Sequence, residues 1–429
     1  MKITQIDPQK QRKFARRVIG QLQDAGYEAL WAGGCVRDDI LGQVPKDYDI
    51  ATSARPDNVR QLFGHRRTLA VGAAFGVIVV LGPREAGQID VATFREDATY
   101  SDGRRPDHVT FSTAELDASR RDFTINGLFF DPIKQEIIDY VGGQQDIQDR
   151  VVRAIGDPMA RLAEDKLRML RAVRFTATFD FEMDEATLAA VQAMADDILT
   201  ISGERIGQEV RRMLAHASRA TALEWLRRSK LLRVVLPEVA VLDEKWQSML
   251  QVSSALHDPS LPLALAALLC QSTTTDTATD VVRPIRDRLR LSNSETARLD
   301  WLLARREDVA RARDLPWPQL QRLLIRDGIE ELLALHEAIT STDDPHLVYC
   351  REKLALPAEQ LNPPPLITGD DLLSHGVPPG QHFQALLDGV RDSQLNGEIT
   401  NRDEAIALID RFIDNGDGSG GPARRHPGC

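Results

Sequence analysis

The chain has 429 residues, too many for one ordinary core, so two to four domains are expected. Its 42% hydrophobic and 27% charged residues are those of a globular protein in water, and no apolar run approaches the roughly 18 residues of a membrane span. The net charge of −11 excludes a protein that coats nucleic acid through bulk charge. It leaves room for a local basic track, with arginines paired at 66–67, 104–105, 120–121 and 211–212 and dense from Arg161 to Arg174. The first residues carry no apolar signal core, so secretion is not expected. Cys35, Cys270, Cys350 and Cys429 are too few and too scattered for a disulfide framework or a zinc knuckle, and read as free thiols in a reducing cytoplasm.

Residues 8–25 place Phe14, Val18, Ile19 and Leu22 at helical spacing, which predicts an N-terminal amphipathic helix. The stretch Trp31 to Thr52 follows. Its Gly33-Gly34 would let a triphosphate approach the backbone, or could be only a tight turn. Arg37 could add a bidentate phosphate contact. Asp47-Tyr48-Asp49 sits among β-prone residues, and on a strand its two carboxylates share one face. Oxygen ligands of that kind suit Mg²⁺, although an exposed acidic turn would look the same.

Asp57–Phe63 reads as a short helix. Phe75–Leu81 and Gln88–Phe94 read as strands of a hairpin joined through Gly82–Gly87. Asp90 lies in the second strand, either as a solvent-facing residue or as a third carboxylate meeting Asp47 and Asp49 to help deprotonate an attacking hydroxyl. Arg95–Val109 is polar and Gly/Pro-punctuated, a mobile loop by composition. Arg120-Arg121 could clamp phosphates, with an Arg121–Asp122 surface pair as the plainer alternative. Asp139–Gly143 is a turn that closes a mixed α/β unit, after which the chain reads as almost wholly helical.

Asp157-Pro158 opens a predicted helix through residue 175. Leu162, Met169, Leu170 and Val173 form its apolar arc. Asp165, Arg168 and Arg171 form a polar strip, either a solvated face or a template of acceptors and donors for the edge of a base.

Together these segments resemble the tRNA nucleotidyltransferase/poly(A) polymerase family, in its bacterial-type CCA-adding branch. The resemblance is collinear over residues 30–213. It rests on GGCVRD with Asp47-Tyr48-Asp49, RRDFTIN at 120–126, DYVGG at 139–143, EDKLRMLRAVRF at 164–175 and ISGERIGQEVRRML at 201–214. It implies an α+β architecture: a polymerase-β-like nucleotidyltransferase head (1–150), then an all-helical neck (151–220), body (221–345) and tail (346–414). The stretch 415–429, rich in Gly and Pro, is expected to be disordered.

Carried over by position, Asp47 and Asp49 would bind Mg²⁺, and Asp90 falls where relatives have a catalytic acid. Gly33, Gly34, Arg37 and Arg121 would hold the triphosphate. Asp165 and Arg168 would face CTP or ATP, supported by Arg171 and Arg174. The implied activity is addition of CTP and ATP to a tRNA 3′ end in the cytoplasm, with poly(A) addition or partial CC- or A-addition as alternatives. Asp102-Gly103-Arg104-Arg105 leans away from a CC-only enzyme. No phosphohydrolase site is expected, because His257-Asp258 precedes Pro259 without helical His partners. One departure from the family pattern is Gly127, where relatives commonly carry Ala.

Overall fold

The computed structural model describes residues 6–72, 75–97, 109–240, 243–272 and 278–416. The chain divides into two compact units, residues 1–272 with 279–296, and residues 273–278 with 297–429.

The first unit begins with helix α1 (Pro8–Asp24). The Asp7 carboxylate caps it by accepting from Gln9 N at 2.9 Å and Lys10 N at 3.2 Å, and Pro8 occupies the first turn where no N–H is needed. Phe14, Val18, Ile19 and Leu22 are all buried, as the spacing predicts. Strand β1 (Ala29–Ala32), helix α2 (Gly34–Ile40), strand β2 (Asp49–Thr52) and helix α3 (Pro56–Phe63) follow. Next come β3 (Thr68–Gly72), β4 (Val77–Leu81), β5 (Gln88–Thr93), β6 (Arg95–Asp97) and β7 (Val109–Phe111). Helix α4 (Ala114–Ser119), β8 (Phe129–Asp131), β9 (Glu136–Ile138) and α5 (Gly143–Gln148) complete the α/β part.

A seven-stranded sheet runs β3-β4-β5-β2-β1-β8-β9. All its pairs are antiparallel except β2 with β5. That parallel pair matters for the site, because its register sets Asp49 beside Asp90. Burial alternates along β5, with Ile89 and Val91 inside and Gln88 and Asp90 exposed. The same alternation along 47–50 buries Tyr48 and Ile50 and turns Asp47 and Asp49 outward.

The expected loop Arg95–Val109 is a hairpin at its base. β6 pairs with β7 antiparallel, Arg95 opposite Phe111, so these residues are strand rather than loop. Residues 98–108, including Asp102, Gly103, Arg104 and Arg105, lie outside the described residues.

At residues 123–143 the backbone is tightly packed. A Cβ on Gly143 would lie 2.2 Å from the carbonyl oxygen of Thr124, which only glycine avoids. The Asp139 carboxylate accepts from the backbone N–H groups of Val141, Gly142, Gly143 and Gln144 at 2.9–3.1 Å, fixing the entry to α5. Gly127 also has a reason here: a Cβ on it would stand 2.6 Å from Val141 Cγ2 and 3.1 Å from Ile155 Cδ1. Val141 occupies the space an alanine there would need.

Beyond residue 150 the helical expectation needs two amendments. Short strands β10 (Val151–Val152) and β11 (Glu182–Met183) pair in parallel. The predicted helix over 157–175 is two helices, α6 (Pro158–Glu164) and α7 (Leu167–Phe179), broken at Asp165, whose backbone is extended at φ −146 and ψ 102. The apolar arc holds across the break, since Leu162, Met169, Leu170 and Val173 have no exposed surface. Helix α8 (Glu185–Ala193) packs on α6, and α9 (Gly203–Ala215) and α10 (Arg219–Arg228) pack on α7.

The remaining described chain is helical to Arg402–Gly416. Residues 415 and 416 are therefore helix, and 417–429 lie outside the described residues. Cys35, Cys270 and Cys350 are free and buried. Among the described residues no helix is long and apolar enough to cross a membrane.

Candidate active site

Two cavities meet along a wall formed by Gly34, Arg37, Asp49 and Phe175. The first, about 500 Å³, is bounded by β-sheet residues on one side and α7 on the other. Its charged lining is seven arginines (37, 95, 120, 121, 168, 171, 205) against Asp49, Asp122 and Asp165. The sign suits a polyanion despite the net charge of −11 on the chain. The second, about 680 Å³, is lined by Lys46, Arg174, Arg212 and His216 together with Asp47 and Asp49.

Asp49 lines both cavities and Asp47 lines the second, while Asp90, beside Asp49 in the sheet, lines neither. Burial and the facing charge of Asp90 push the Asp49 carboxyl up to about 6, against the pull of Arg121, with Asp47 adding to the rise. Burial and the Asp47 charge raise Asp90 as well. Mutual repulsion of this kind identifies acids crowded together and short of a cation. Among the described residues no three acids, histidines or cysteines form a ready-made metal cage. Two or three hard oxygen donors on an open face instead match a divalent ion that completes its shell with phosphate oxygens.

Gly33 lines the first cavity. It lies at φ 72, and a Cβ there would meet Arg121 Nη1 at 2.7 Å. Gly34 has no such demand. A methyl group at position 33 would therefore displace the Arg121 guanidinium.

Arg37 is buried. It donates through Nε and Nη2 to Asp38 Oδ1 at 2.9 and 2.6 Å and through Nη1 to Asn126 Oδ1, and lies 4.3 Å from the Phe179 ring centroid. Arg121 donates to Asp117 Oδ2 at 2.9 Å and to Asn126 O at 3.3 Å. Arg120 donates to the other oxygen of the same carboxylate at 2.7 Å. Burial would raise Asp117, but Arg121 and Arg120 hold it below its ordinary value. The expected Arg121–Asp122 pair is not formed. Asp122 turns inward to Arg171, at 2.6 and 2.8 Å, in the bend that follows α4.

Asp165 is the break between α6 and α7, not one step of a helical strip. Its Oδ1 accepts from Leu167 N at 3.0 Å and its Oδ2 from Arg205 at 2.7 Å. Arg168 is buried and donates to Glu164 Oε2 and to the carbonyls of Arg161 and Arg120 at 2.7 and 3.3 Å. Asp165, Arg168 and Arg171 all line the first cavity. Arg174 does not. It bonds Glu209 at 2.6 Å, lies 4.2 Å from the Phe175 ring centroid and lines the second cavity.

Among the lining residues to which sequence reasoning gave no binding role are Arg205, Asn126, Asp122 and Phe175. All four stand inside the motif segments, which was the only signal available. Phe175 is the centre of an arginine cluster, with Arg37, Arg171 and Arg174 all within 5.3 Å of its ring centroid.

Comparisons with known proteins agree with this geometry. Residues 29–153 match the family described as poly A polymerase head domain, and residues 180–242 match a probable RNA- and SrmB-binding site of polymerase A. A CCA-adding enzyme of Geobacillus kaustophilus is 34% identical over 91% of this chain and 94% of its own. One of Levilactobacillus brevis is 32% identical over 92% of this chain and 96% of its own. The crystal structure of the Bacillus stearothermophilus CCA-adding enzyme in complex with CTP superposes with a TM-score of 0.78 at 28% identity, covering 95% of this chain and 98% of that one.

Proposed function

Because the chain belongs to the tRNA nucleotidyltransferase/poly(A) polymerase family, among its CCA-adding enzymes, we propose that it adds CTP and ATP to the 3′ end of tRNA without a nucleic-acid template. The observation that carries this reading is the parallel register of Asp49 with Asp90, with Asp47 also turned outward and Asp49 itself lining an arginine-rich cavity.

The incoming nucleotide occupies the first cavity. Its triphosphate lies against Gly33, Gly34, Arg37 and Arg121, the arginines being pre-set by Asp117, Asp38 and Asn126, so that little side-chain entropy is lost on binding. Its base faces Asp165 and Arg168. Asp165 offers acceptors and Arg168 donors, and each is fixed by partners of its own, so the pair can select a base edge. Arg171 steadies this side through Asp122. The tRNA end enters along the second cavity, past Lys46, Arg174, Arg212 and His216.

The tRNA 3′ oxygen attacks the α-phosphorus, a new P–O bond forms, and the bond to the bridging oxygen breaks to release pyrophosphate. The hydroxyl proton passes to Asp90, whose raised affinity for a proton suits a base. Asp47 and Asp49 would hold a divalent cation, Mg²⁺ by the hardness of the donors, which would supply Lewis-acid stabilisation of charge on the phosphate oxygens. We further assign residues 1–150 as head, 151–220 as neck, 221–345 as body and 346–414 as tail. A reducing cytoplasm is the compartment consistent with the buried free thiols.

The test is a tRNA transcript lacking its last three nucleotides, incubated with Mg²⁺ and nucleotides and read by length on a sequencing gel. Two residues added with CTP alone, and a stop at three with CTP plus ATP, are expected. A long ladder with ATP alone would replace CCA addition by poly(A) addition, and a stop at two with both nucleotides would make it a CC-adding enzyme. Absence of extension would overturn the catalytic reading.

A further inference from the structure

His216 caps the C-terminal end of α9 in extended backbone, at φ −80 and ψ 151, and lines the second cavity together with Asp47 and Asp49. Its side chain is exposed there rather than packed in a core. The turn after the helix fixes the state of the ring. Ser218 N donates to Nδ1 at 3.2 Å, and Ser218 Oγ lies 2.7 Å from the same nitrogen. A backbone N–H can only donate, so Nδ1 is an acceptor and the ring proton sits on Nε2. Nε2 makes no hydrogen bond among the described residues. The surroundings also oppose a charge on the ring: partial burial, then Lys46, Arg219 and Arg174, hold the imidazole below its ordinary value. His216 is thus a neutral N–H donor set among cations.

What such a donor can read follows from charge. Phosphate oxygens in this cavity are matched by Lys46, Arg174 and Arg212, beside which a neutral donor is weak. It suits a neutral oxygen instead, and on the end of an RNA those belong to bases or to ribose. The terminal base of the acceptor differs between successive additions, whereas its ribose does not. A fixed side chain that shares a cavity with Asp47 and Asp49 and serves every addition therefore meets the ribose. The 3′ oxygen of that ribose is the attacking group, which leaves the 2′ hydroxyl.

We propose that His216 donates from Nε2 to the 2′ hydroxyl of the acceptor's terminal ribose and so selects RNA ends over DNA ends. This specificity-determining role rests on the function proposed above.

The experiment uses the full chain, the variants His216→Phe and His216→Gln, and truncated tRNA transcripts ending in either a ribose or a 2′-deoxyribose. Addition from CTP gives kcat/KM for each acceptor, and melting temperatures check the fold. The parent is expected to prefer the ribose end about tenfold. His216→Phe, which keeps a flat ring and loses the N–H, slows addition to the ribose end about tenfold and leaves the deoxyribose end as it was. Comparing variant with parent on each acceptor cancels any effect that the missing 2′ oxygen itself has on the attacking 3′ hydroxyl. His216→Gln, whose amide can donate in place of Nε2–H, keeps most of the preference. A His216→Phe protein with the parent's preference overturns the proposal. Equal slowing on both acceptors does so too, since that is what a merely structural role would give. A change confined to the discrimination between CTP and 2′-deoxy-CTP would assign His216 to the incoming nucleotide and also overturn it. Should His216→Phe not fold, His216→Ala takes its place. A parent that adds nothing to either transcript would sink the enzymatic reading, and the affinities of the two transcripts for parent and variant would then make the same comparison. CCA addition without any preference between the acceptors would sink this inference and leave that reading standing.

Discussion

Asp49→Asn should lower the rate of nucleotide addition by on the order of 10³-fold or more, while its fold becomes slightly more stable. Both halves follow from the same crowding. The carboxylate is needed as an anion to hold a cation, yet burial and Asp90 push it up to about 6. A group whose folded value lies above its ordinary 3.8 is more readily protonated in the folded state. The fold therefore loses stability as pH rises from about 4 through 6, and the loss persists above that window. Asparagine removes the penalty. Because Asp49 lies deep in the cleft yet keeps solvent-accessible surface, the gain is modest, roughly 2 °C in melting temperature above pH 6 and none below pH 4.

The parent's activity should run the opposite way. It falls as pH drops through about 6, and added divalent cation moves that midpoint to lower pH by competing with the proton. Single-turnover rates and thermal melts over one pH series would check both. A variant that is inactive but less stable at pH 7 would contradict the crowding argument.

Asp122→Ala has the larger structural effect. Asp122 is buried and held down to about 2; burial would raise it, but Arg171, Asn126 and Arg168 outweigh that. It receives two bonds from Arg171 and one from Asn126 Nδ2 at 3.0 Å, and so ties the chain beside the sheet to α7. Truncation leaves the Arg171 charge without its partner and removes the acceptor for Asn126. The expected loss is about 3 kcal/mol, a fall of roughly 6 °C in the first unfolding transition.

Arg171→Met in the same chain should restore part of that stability, since an unpaired charge costs more than an absent pair. It should not restore nucleotide binding, because Arg171 lines the cavity. The pair also sets an acid limit. Its contribution is complete above the ordinary 3.8 and is lost as pH falls towards 2. Chemical unfolding of the single and double variants at pH 7 and pH 3 would measure all three effects.

Much of this protein is written in local periodicity. The two-residue repeat around Asp47 and Asp49 was enough to turn both outward, although Asp47 precedes the strand that Asp49 begins. The helical repeat of α1 identified its buried side before any fold was known. The apolar arc of Leu162, Met169, Leu170 and Val173 was also correct, although the helix it was assigned to is two helices. Spacing carries such information because side-chain direction depends only on the backbone of the same segment.

What spacing could not supply is the choice of partners. Asp165 is held by Arg205 from 40 residues away, and Asp122 chose Arg171 from 49 residues away over the adjacent Arg121. The neighbour of Asp49 could be read only from the parallel register of β2 with β5. The break at Asp165 and the transfer of Arg174 to the second cavity likewise depend on where α7 meets α9, through Glu209 and Arg205. The sequence by itself determined which groups are present and which way each faces. The tertiary structure decided which charges meet, because an ion pair depends on distance in space between segments whose separation along the chain places no constraint on it.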